Sequence, residues 1–497
     1  MEVLHNLLYG FSVAFTPMNL LFCLLGCLIG TLVGVLPGIG PAAAISLLLP
    51  MTFRLDITGA IIMLAGIYYG TQYGGSTTAI LVNIPGEASG VVTCFDGYQM
   101  AKQGRAGAAL GIAAFGSLIG GTLSVVGLMF LAPTLAEAAL KFGPPEYFTL
   151  LIMALSLVTY LTRGPLIKGL MMAALGIILS TVGPTPFTGK LRFTYGLEVL
   201  SGGLGIVPVL MGLFGVAEVL SNVGQAQDRA LVTGKIRGLL PTLQDWRDSF
   251  FPIIRGSLIG FFAGILPGFG LTTSAFISYG VEKKISKHPD RFGKGAIEGV
   301  AGPETANNAN AGGHFVPMLS LGIPSGATMA LLLGALMIHG VQPGPLLITE
   351  QPSVFWGLIS SMYIGNIILV MLNLPMIPLW VQVLRVPYSY LFPMILLFCM
   401  IGAYCLNNMA GEVMIMVIFG GFGYLLRYFG YEAPPLILAL VLGPMIEDRF
   451  KQSLTISGGS FSIFFTRPLA LVFLVITLLI LTLSLLRHTV FKKTRKD

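Results

Sequence analysis

The chain has 497 residues, of which 55% are hydrophobic and only 10% are charged. Soluble domains carry about 25% charged residues, so this composition excludes an ordinary water-soluble protein and indicates a polytopic membrane protein. The net charge of +7 comes from basic residues in loops and in the tail after residue 486. This is the positive-inside pattern of a membrane protein and argues against nucleic-acid binding.

The N-terminal region is predicted to lie in the membrane. Residues 6–53 contain no Asp, Glu, Lys, Arg or His, and the first residues, MEVLHNLLYGF, lack a basic segment and a small-residue cleavage site. We therefore expect a retained first helix and no cleaved signal peptide. Four of the five cysteines lie in apolar stretches and none forms a CxxC pair, so neither a disulfide framework nor a zinc site is expected.

The first long apolar stretch, residues 17–36, ends at the sequence LPGIG, residues 36–40. Proline removes an amide donor and glycine allows backbone angles that other residues rarely adopt, which predicts a short unwound tip followed by a new helix over 41–50. Inside a bilayer, such a break leaves unpaired backbone groups unless it is buried in protein or lines a watery cavity. The break is therefore a candidate part of a binding site.

A second broken segment is predicted in residues 57–86, which are uncharged and become polar towards their end. There, GTQYGGSTT is followed by NIPGE. Further helices of the first half are predicted at 106–136, 147–162, 165–182 and 199–221.

A hydrophilic segment divides the chain almost in half. We predict a first membrane repeat at 1–221, a linker at 222–250, a second repeat at 251–486 and a basic cytoplasmic tail at 487–497. The second half opens with a helix at 251–266, the break LPGFG and a short helix, and later contains AGPETANNANAGG and GIPSG. Its further helices are predicted at 327–338, 353–383, 388–406, 412–429, 433–446 and 464–486. The whole chain would make roughly eleven or twelve spans, besides re-entrant or broken helices.

The motifs of the first half recur in the second. LPGxG recurs at an offset of 230, and the second motif at 238 to 239, which pairs Gly74-Gly75 with Gly312-Gly313 and Gln72 with Asn310. Corresponding loops have opposite biases in Lys and Arg, which predicts two repeats of inverted topology. Residues 251–281 would then form a re-entrant hairpin that enters and leaves by the cytoplasmic face.

Helices that begin inside a membrane suit a carboxylate, because their first amides are unpaired and carry about half a positive charge. Four such starts predict an anion site near the bilayer midplane. For any single Ser or Thr the alternative is close helix packing. The candidate substrate-binding residues are Pro37, Gly38, Gly40, Ser76, Thr77, Thr78, Pro267, Gly268, Thr272, Thr273, Ser274, Pro324, Ser325 and Gly326.

Neutral side-chain oxygens near the breaks suit sodium, although interhelical hydrogen bonding is the alternative for any one Asn. A carboxylate at membrane depth costs about 2.5 kcal/mol or more unless it is paired, so we expect Glu304 and Glu87 to have a functional role. If protons drive transport, these two residues are better candidates for the coupling site than the neutral oxygens. His314 and His339 are expected to pack or to lie at the interface. The candidate ion-binding residues are Gln72, Asn83, Asn307, Asn308, Asn310 and Glu304, with Na⁺ as the coupling ion and no other cofactor.

Several motifs together resemble the large membrane subunit of the tripartite tricarboxylate transporters, over roughly residues 15 to 460. They are GVLPGIGPAAAISLLLP, YYGTQYGGSTTAILVNIPGEASGVVTCFDGYQMAKQGRAGAALG, GPPEYF, AGPETANNANAGG and LGIPSGAT. The resemblance implies a bacterial inner-membrane carrier for citrate-like or other organic acids, coupled to sodium. It also implies a small membrane subunit and a periplasmic binding protein that delivers the substrate. The chain departs from the family at Pro324-Ser325-Gly326, where Pro-Gly-Ser is favoured, and at His314, where a small residue is usual.

We therefore predict an all-α secondary transporter that is not an enzyme. One alternative is a proton-coupled carboxylate carrier. Another is an anion channel, which would show flux without sodium dependence and without saturation by a delivery protein. A membrane enzyme acting on lipid is a third reading, but the sequence lacks a convincing His, Asp or Cys constellation for it.

Overall fold

The computed structural model describes residues 2–36, 40–161, 165–185, 188–222, 238–384 and 388–493. The described chain is almost entirely helical, with one two-stranded antiparallel hairpin. The prediction of an all-α polytopic membrane protein is confirmed, because six described helices are long and apolar enough to cross a membrane. Pro37, Gly38 and the last four residues of the predicted tail lie outside the described residues.

The elements of the first half follow one another in this order. The helices are α1 (Glu2–Ala14), α2 (Pro17–Val35), α3 (Pro41–Thr52), α4 (Ile57–Val82), α5 (Val91–Lys102), α6 (Ala106–Ala139), α7 (Pro144–Leu161), α8 (Leu166–Ser180), α9 (Ile206–Leu210) and α10 (Ala217–Asn222). Strands β1 (Gly183–Pro184) and β2 (Leu191–Arg192) lie between α8 and α9. A π-helical segment, Met211–Val216, joins α9 to α10, and short 3₁₀ turns occur at Ala88–Gly90 and Glu198–Leu200.

The second half is also helical. Its helices are α11 (Leu243–Ile265), α12 (Leu271–Ile285), α13 (Glu298–Gly313), α14 (Phe315–Leu321), α15 (Ala327–Ile338), α16 (Leu347–Glu350), α17 (Pro352–Asn373), α18 (Ile377–Val383), α19 (Tyr388–Asn407), α20 (Ala410–Tyr428), α21 (Pro434–Ile456), α22 (Ile463–Thr466) and α23 (Pro468–Lys493). A 3₁₀ turn, Pro289–Arg291, follows α12.

The helix predicted at 353–383 is divided into α17 and α18, and the one predicted at 433–446 extends to Ile456. Two further differences from the sequence-based expectation have local reasons. Helix α11 begins at Leu243, inside the segment predicted as linker, because Thr242 and Asp245 form a capping box that satisfies its first amides. Helix α4 runs unbroken through GTQYGGSTT, and the chain leaves the helix only at Asn83. The second break therefore lies after the polar cluster and not within it.

Glycines bring two helices of each half into backbone contact. The glycines of α2 contact α4, and the glycines of α11 contact α13. These contacts are so close that a Cβ on any of these glycines would collide with a carbonyl oxygen. The pairs are Gly26 with Met63, Gly30 with Ile67, Gly34 with Thr71, Gly256 with Gly302, Gly260 with Ala306, and Gly264 with Asn310. The two halves thus share the same helix packing.

These contacts correct the predicted pairing of the second motif. The α2 and α11 glycines correspond at an offset of 230, and their partners on α4 and α13 correspond at a uniform offset of 239. Thr71, and not Gln72, therefore corresponds to Asn310. Asn83 and Gly322 follow the same offset and end their helices with positive φ angles of 59° and 71°.

Corresponding ends of the two halves lie at opposite ends of the fold. At one end, the Gln103 side chain, which follows α5, donates to the carbonyl of Lys294 at 2.7 Å. At the other end, His339, which follows α15, lies 3.4 Å from the Thr52 hydroxyl. Helices α6 and α17 start at these two ends and run antiparallel, with Gly121 of α6 against Asn366 of α17. This packing agrees with inverted repeats, while the membrane face of each end stays a prediction.

Candidate functional site

Two adjoining cavities lie where the broken helices begin. The first, of about 410 Å³, is lined by Gly270–Thr273 at the start of α12 and Ser325–Thr328 at the start of α15. The second, of about 440 Å³, is lined by Gly40-Pro41 at the start of α3 and Pro85–Ser89 before α5. Leu271, Thr272 and Ala88 line both, so the starts of four helices surround one continuous region.

Three of these helices begin after a glycine that lines one of the cavities. Gly40, Gly270 and Gly326 have φ angles of −72°, −66° and −176°, and none of the three helix starts is capped by a side chain. These angles are open to any residue, and no atom lies within 4 Å of the position that a Cβ would take. Neither backbone strain nor packing requires glycine here. Its effect is to leave the first amides of each helix accessible from the cavities, which suits an anion.

Hydrogen bonds join the α11–α12 tip to the break before α15. The amide of Gly268 donates to the carbonyl of Ser325 at 2.8 Å, and the Ser325 hydroxyl donates to the carbonyl of Gly264 at 3.3 Å. Gly268 has a φ of 81°, and a Cβ there would lie 2.8 Å from Val158 Cα, so this position needs glycine. Two broken segments of the second half are thereby held together beside the first cavity.

The structure separates the predicted substrate-binding residues into two groups. Those that line the cavities are Gly40, Gly268, Thr272, Thr273, Ser325 and Gly326. The described residues that line neither cavity are Ser76, Thr77, Thr78, Pro267, Ser274 and Pro324. Thr78 donates to the carbonyl of Val35 at 2.9 Å, and Ser274 donates to Leu271 of its own helix at 2.8 Å, so both hydroxyls have local partners.

A buried carboxylate that lines neither cavity lies between the two halves. Glu304 of α13 is only 2% exposed, and it accepts a hydrogen bond of 2.5 Å from Ser76 of α4 and another from Thr93 of α5. Asn308, one turn further along α13, donates to Ser117 at 2.7 Å and to the Glu304 carbonyl at 3.1 Å. Within the described ranges, no Lys or Arg forms an ion pair with Glu304.

A second carboxylate, Glu87, contacts the side chain of Asn307, one of the residues that have an unpaired buried amide oxygen. Glu87 accepts from Ser89 and from the Asn307 amide at 3.3 Å. The Oδ1 of Asn307, the Oε1 of Gln72 and the Oδ1 of Asn310 are buried and have no hydrogen-bond partner among the described residues. Such oxygens are the kind that a sodium ion accepts as ligands.

Asn83 differs from the other predicted ion-binding residues. It is exposed, lines neither cavity and takes a left-handed conformation at the end of α4, which Asn tolerates better than most residues. Its counterpart in the second half is Gly322, which has no side chain to bind an ion. The structure therefore assigns Asn83 a backbone role.

The cavity walls are acidic where they are charged. The charged lining residues are Glu87, Glu218 and Glu432, and no Lys or Arg is among the described lining residues. Glu218 pairs with Arg427 at 2.5 Å. An entering anion would thus meet helix amides and hydroxyls, together with the carboxylate of Glu87, whose like charge raises the need for a compensating cation.

Comparison with known proteins identifies the family. The model of the Tripartite tricarboxylate transporter TctA family matches residues 20–438. The chain belongs to this family. The TctA family is a family of transporters and not of enzymes, and the tripartite assembly includes other subunits and a binding protein.

Two proteins of Agrobacterium vitis are similar to this TctA-family chain. The "Uncharacterized 52.8 kDa protein in TAR-I ttuC' 3'region" is 48% identical over 486 residues, which cover 98% of this chain and 97% of that protein. The "Uncharacterized protein in TAR-II ttuC' 3'region" is 49% identical over 231 residues, which cover 46% of this chain and 94% of that protein. No solved structure matches the chain.

Among the lining residues of the TctA-family chain that the sequence interpretation missed or gave another role are Thr328, Tyr68 and His314. Thr328 lines the first cavity, and its position after the GIPSG break could have revealed it. Tyr68 and His314 also line this cavity, although His314 was expected to pack or to lie at the interface. A histidine directly after the AGPETANNANAGG motif was the available signal.

Proposed function

We propose that this protein carries out secondary active uptake of citrate-like tricarboxylates or other organic acids across the bacterial inner membrane, with sodium as the coupling ion. The observation that supports this function best is the convergence of glycine-capped starts of α3, α12 and α15 on two adjoining cavities. Cavities of about 410 and 440 Å³ are in the usual range for small-molecule sites.

The substrate carboxylates would lie against the first amides of α12 and α15, with the hydroxyls of Thr272, Thr273 and Thr328 beside them. Helix starts provide fixed partial positive charge without a basic side chain, and hydrogen bonds to an ionised group are stronger than neutral ones. Carboxylate groups bound this way could leave again, because no fixed full charge holds them.

The charge balance supports a coupling cation. Each helix start supplies only about half a positive charge, and Glu87 adds a carboxylate to the wall of the second cavity. Two like charges 4 Å apart repel by about 4 kcal/mol at an effective dielectric constant of 20. Sodium bound by Glu87 and the unpaired oxygens of Gln72 and Asn307 would offset this repulsion and link acid binding to the ion gradient.

One observation favours proton coupling as a second candidate. Glu304 is a buried carboxylate that accepts from two hydroxyls and forms no ion pair within the described ranges. A side chain in this position can take up a proton in place of binding a metal cation. In that case Glu304 and Glu87 would carry the coupling.

The protein would work with the partners that the family implies. We propose a small membrane subunit beside it in the lipid bilayer and a periplasmic solute-binding protein that delivers the acid. The experiment is uptake of labelled citrate and a panel of other acids into proteoliposomes that contain both membrane subunits, with and without the binding protein. Sodium and proton gradients are imposed separately. Saturable uptake driven by sodium supports the proposal, whereas gradient-independent flux that does not need the binding protein indicates a channel.

A further inference from the structure

His314 connects the first half of the protein to the tip between α11 and α12. Its Nδ1 lies 2.7 Å from the hydroxyl of Tyr68 on α4, and its Nε2 lies 3.3 Å from the carbonyl oxygen of Phe269 at the tip. The Tyr68 and His314 rings are stacked, with centroids 6.3 Å apart and planes inclined by 15°. His314 is 4% exposed, and both side chains line the first cavity.

The partners of the ring define its tautomer. A carbonyl oxygen can only accept, so Nε2 must carry the proton that is donated to Phe269. In the neutral ring Nδ1 then accepts, and the Tyr68 hydroxyl donates to it. Every polar atom of the pair is used in this arrangement, so the ring is held and offers no free donor to a ligand. His314 therefore acts on the site through Phe269.

The Phe269 carbonyl determines where the next amide points. It accepts from His314 Nε2 and also from the Asn310 amide at 3.4 Å, both on the α13–α14 side. In a trans peptide the C=O and N–H bonds point in opposite directions, so the N–H of Gly270 is directed away from α13. Gly270 lines the first cavity, and the described residues provide no backbone acceptor for its N–H.

The first half has no histidine at the matching position. At the offset of 239, His314 corresponds to Gly75, which has no side chain, and the Glu87 side chain occupies the adjacent space with its Cγ 3.2 Å from the position of a Gly75 Cβ. The two halves therefore differ chemically at the matching point. A neutral imidazole serves the α12 start, and a carboxylate lies on the α3 side.

We propose that Tyr68 and His314 are positioning residues that orient the Phe269–Gly270 peptide and thereby set the affinity of the α12 start for the acid. This inference rests on the proposed function, since it assigns the α12 amides to the substrate. The pair acts on binding and not on the transport step, so its loss should raise the KM for uptake and leave the maximal rate within about twofold.

The test compares variants that separate the hydrogen bonds from the bulk of the side chains. Tyr68→Phe removes one hydroxyl, and His314→Ala removes both contacts. His314→Gln retains a donor for Phe269 and an acceptor for Tyr68. Tyr73→Phe is the matched control, because its hydroxyl lies on the same helix, is buried and has no partner among the described residues. Detergent-purified protein is checked for thermal unfolding before reconstitution.

Loss of one hydrogen bond that orients a charged contact corresponds to about tenfold in affinity. We expect Tyr68→Phe to raise the KM for labelled acid about tenfold and His314→Ala at least as much. His314→Gln should stay within about threefold of the wild type, and Tyr73→Phe should match it. An unchanged KM in Tyr68→Phe, or a His314→Gln variant as impaired as His314→Ala, overturns the proposal.

A second measurement does not depend on transport. Solid-state NMR of protein labelled with ¹⁵N-histidine in liposomes, with the His314 signal assigned by its absence in His314→Gln, reports the tautomer directly. We expect a neutral ring protonated at Nε2, and a changed Nδ1 signal in Tyr68→Phe. A ring protonated at Nδ1, or no response to Tyr68→Phe, overturns the pairing. If the wild-type complex takes up no acid, the proposed function fails while this measurement still judges the Tyr68–His314 contact.

Discussion

The hydroxyl of Ser76 donates a hydrogen bond of 2.5 Å to the carboxylate of Glu304, although the two residues are 228 positions apart. Ser76 lies on α4 of the first half and Glu304 on α13 of the second. The contact joins the two central helices of the halves at a buried acidic group. Two coupling mechanisms are therefore open to comparison. A carboxylate with hydroxyl partners can bind a proton, whereas the neutral oxygens nearby can bind sodium.

The first prediction concerns this choice of coupling ion. We expect Glu304→Gln, which keeps the shape but cannot titrate, to retain sodium-driven uptake. Gln72→Ala and Asn307→Ala should each raise the sodium concentration for half-maximal uptake about tenfold, because each removes one oxygen ligand. The measurement is uptake of labelled acid as a function of sodium at saturating substrate.

Asn373→Ala serves as the control for these variants, since its Oδ1 is also buried and unpaired but lies on α17 and lines neither of the two large cavities. Uptake that follows an imposed proton gradient, ignores sodium and is abolished in Glu304→Gln would instead assign the coupling to the carboxylates.

The second prediction tests whether glycine keeps the α12 start open. Gly270→Ala places a methyl group in open space at an allowed φ, and alanine is a weaker N-cap residue than glycine, so the free energy of unfolding should fall by no more than about 1 kcal/mol. The methyl group would stand between the acid and the first amides of α12, and we expect the KM for uptake to rise tenfold or more.

Gly280→Ala is the matched control, because Gly280 lies on the same helix and also has no atom within 4 Å of a Cβ position. An alanine inside a helix stabilises it by about 1 kcal/mol relative to glycine, and uptake should not change. Equal KM values for Gly270→Ala and Gly280→Ala would show that the α12 start does not contact the substrate.

The third prediction separates a backbone role of Asn83 from an ion-binding role. Asn83→Gly should keep both stability and sodium activation, since Gly322 occupies the corresponding position of the second half. Asn83→Ala should lower the free energy of unfolding by about 1 kcal/mol, because alanine is strained at a φ of 59°. Thermal unfolding and sodium titrations of both variants provide the measurement. Loss of sodium activation in Asn83→Gly would return this side chain to the ion site.

The fourth prediction concerns the orientation of the halves in the membrane. In a Cys405→Ser background, which removes the exposed native thiol, a cysteine at Lys287 should react with a membrane-impermeant reagent only from the cytoplasm. A cysteine at Arg54 should react only from the periplasm. Both positions are exposed. Labelling of both cysteines from the same face would contradict inverted topology.

The amino-acid sequence by itself determined the helical class, the breaks at LPGIG and LPGFG, and the glycine-capped helix starts at Gly40 and Gly270. These features depend on a few adjacent residues, because proline and glycine act on their own backbone and on the next turn. The same local chemistry explains why the internal repeat was visible without a structure.

Only the tertiary structure decided which polar side chains meet. Successive residues of a helix point about 100° apart, so a shift of one residue moves a side chain to another face. For this reason the sequence pattern paired Gln72 with Asn310, whereas the glycine contacts pair Thr71 with Asn310. The sequence pattern also placed Ser76 and Thr272 in one site. In the structure Ser76 contacts Glu304 and Thr272 lines the cavities. His314 reaches Tyr68 across 246 positions, a contact that depends on how α4 packs against α13 and α14 and not on any local pattern.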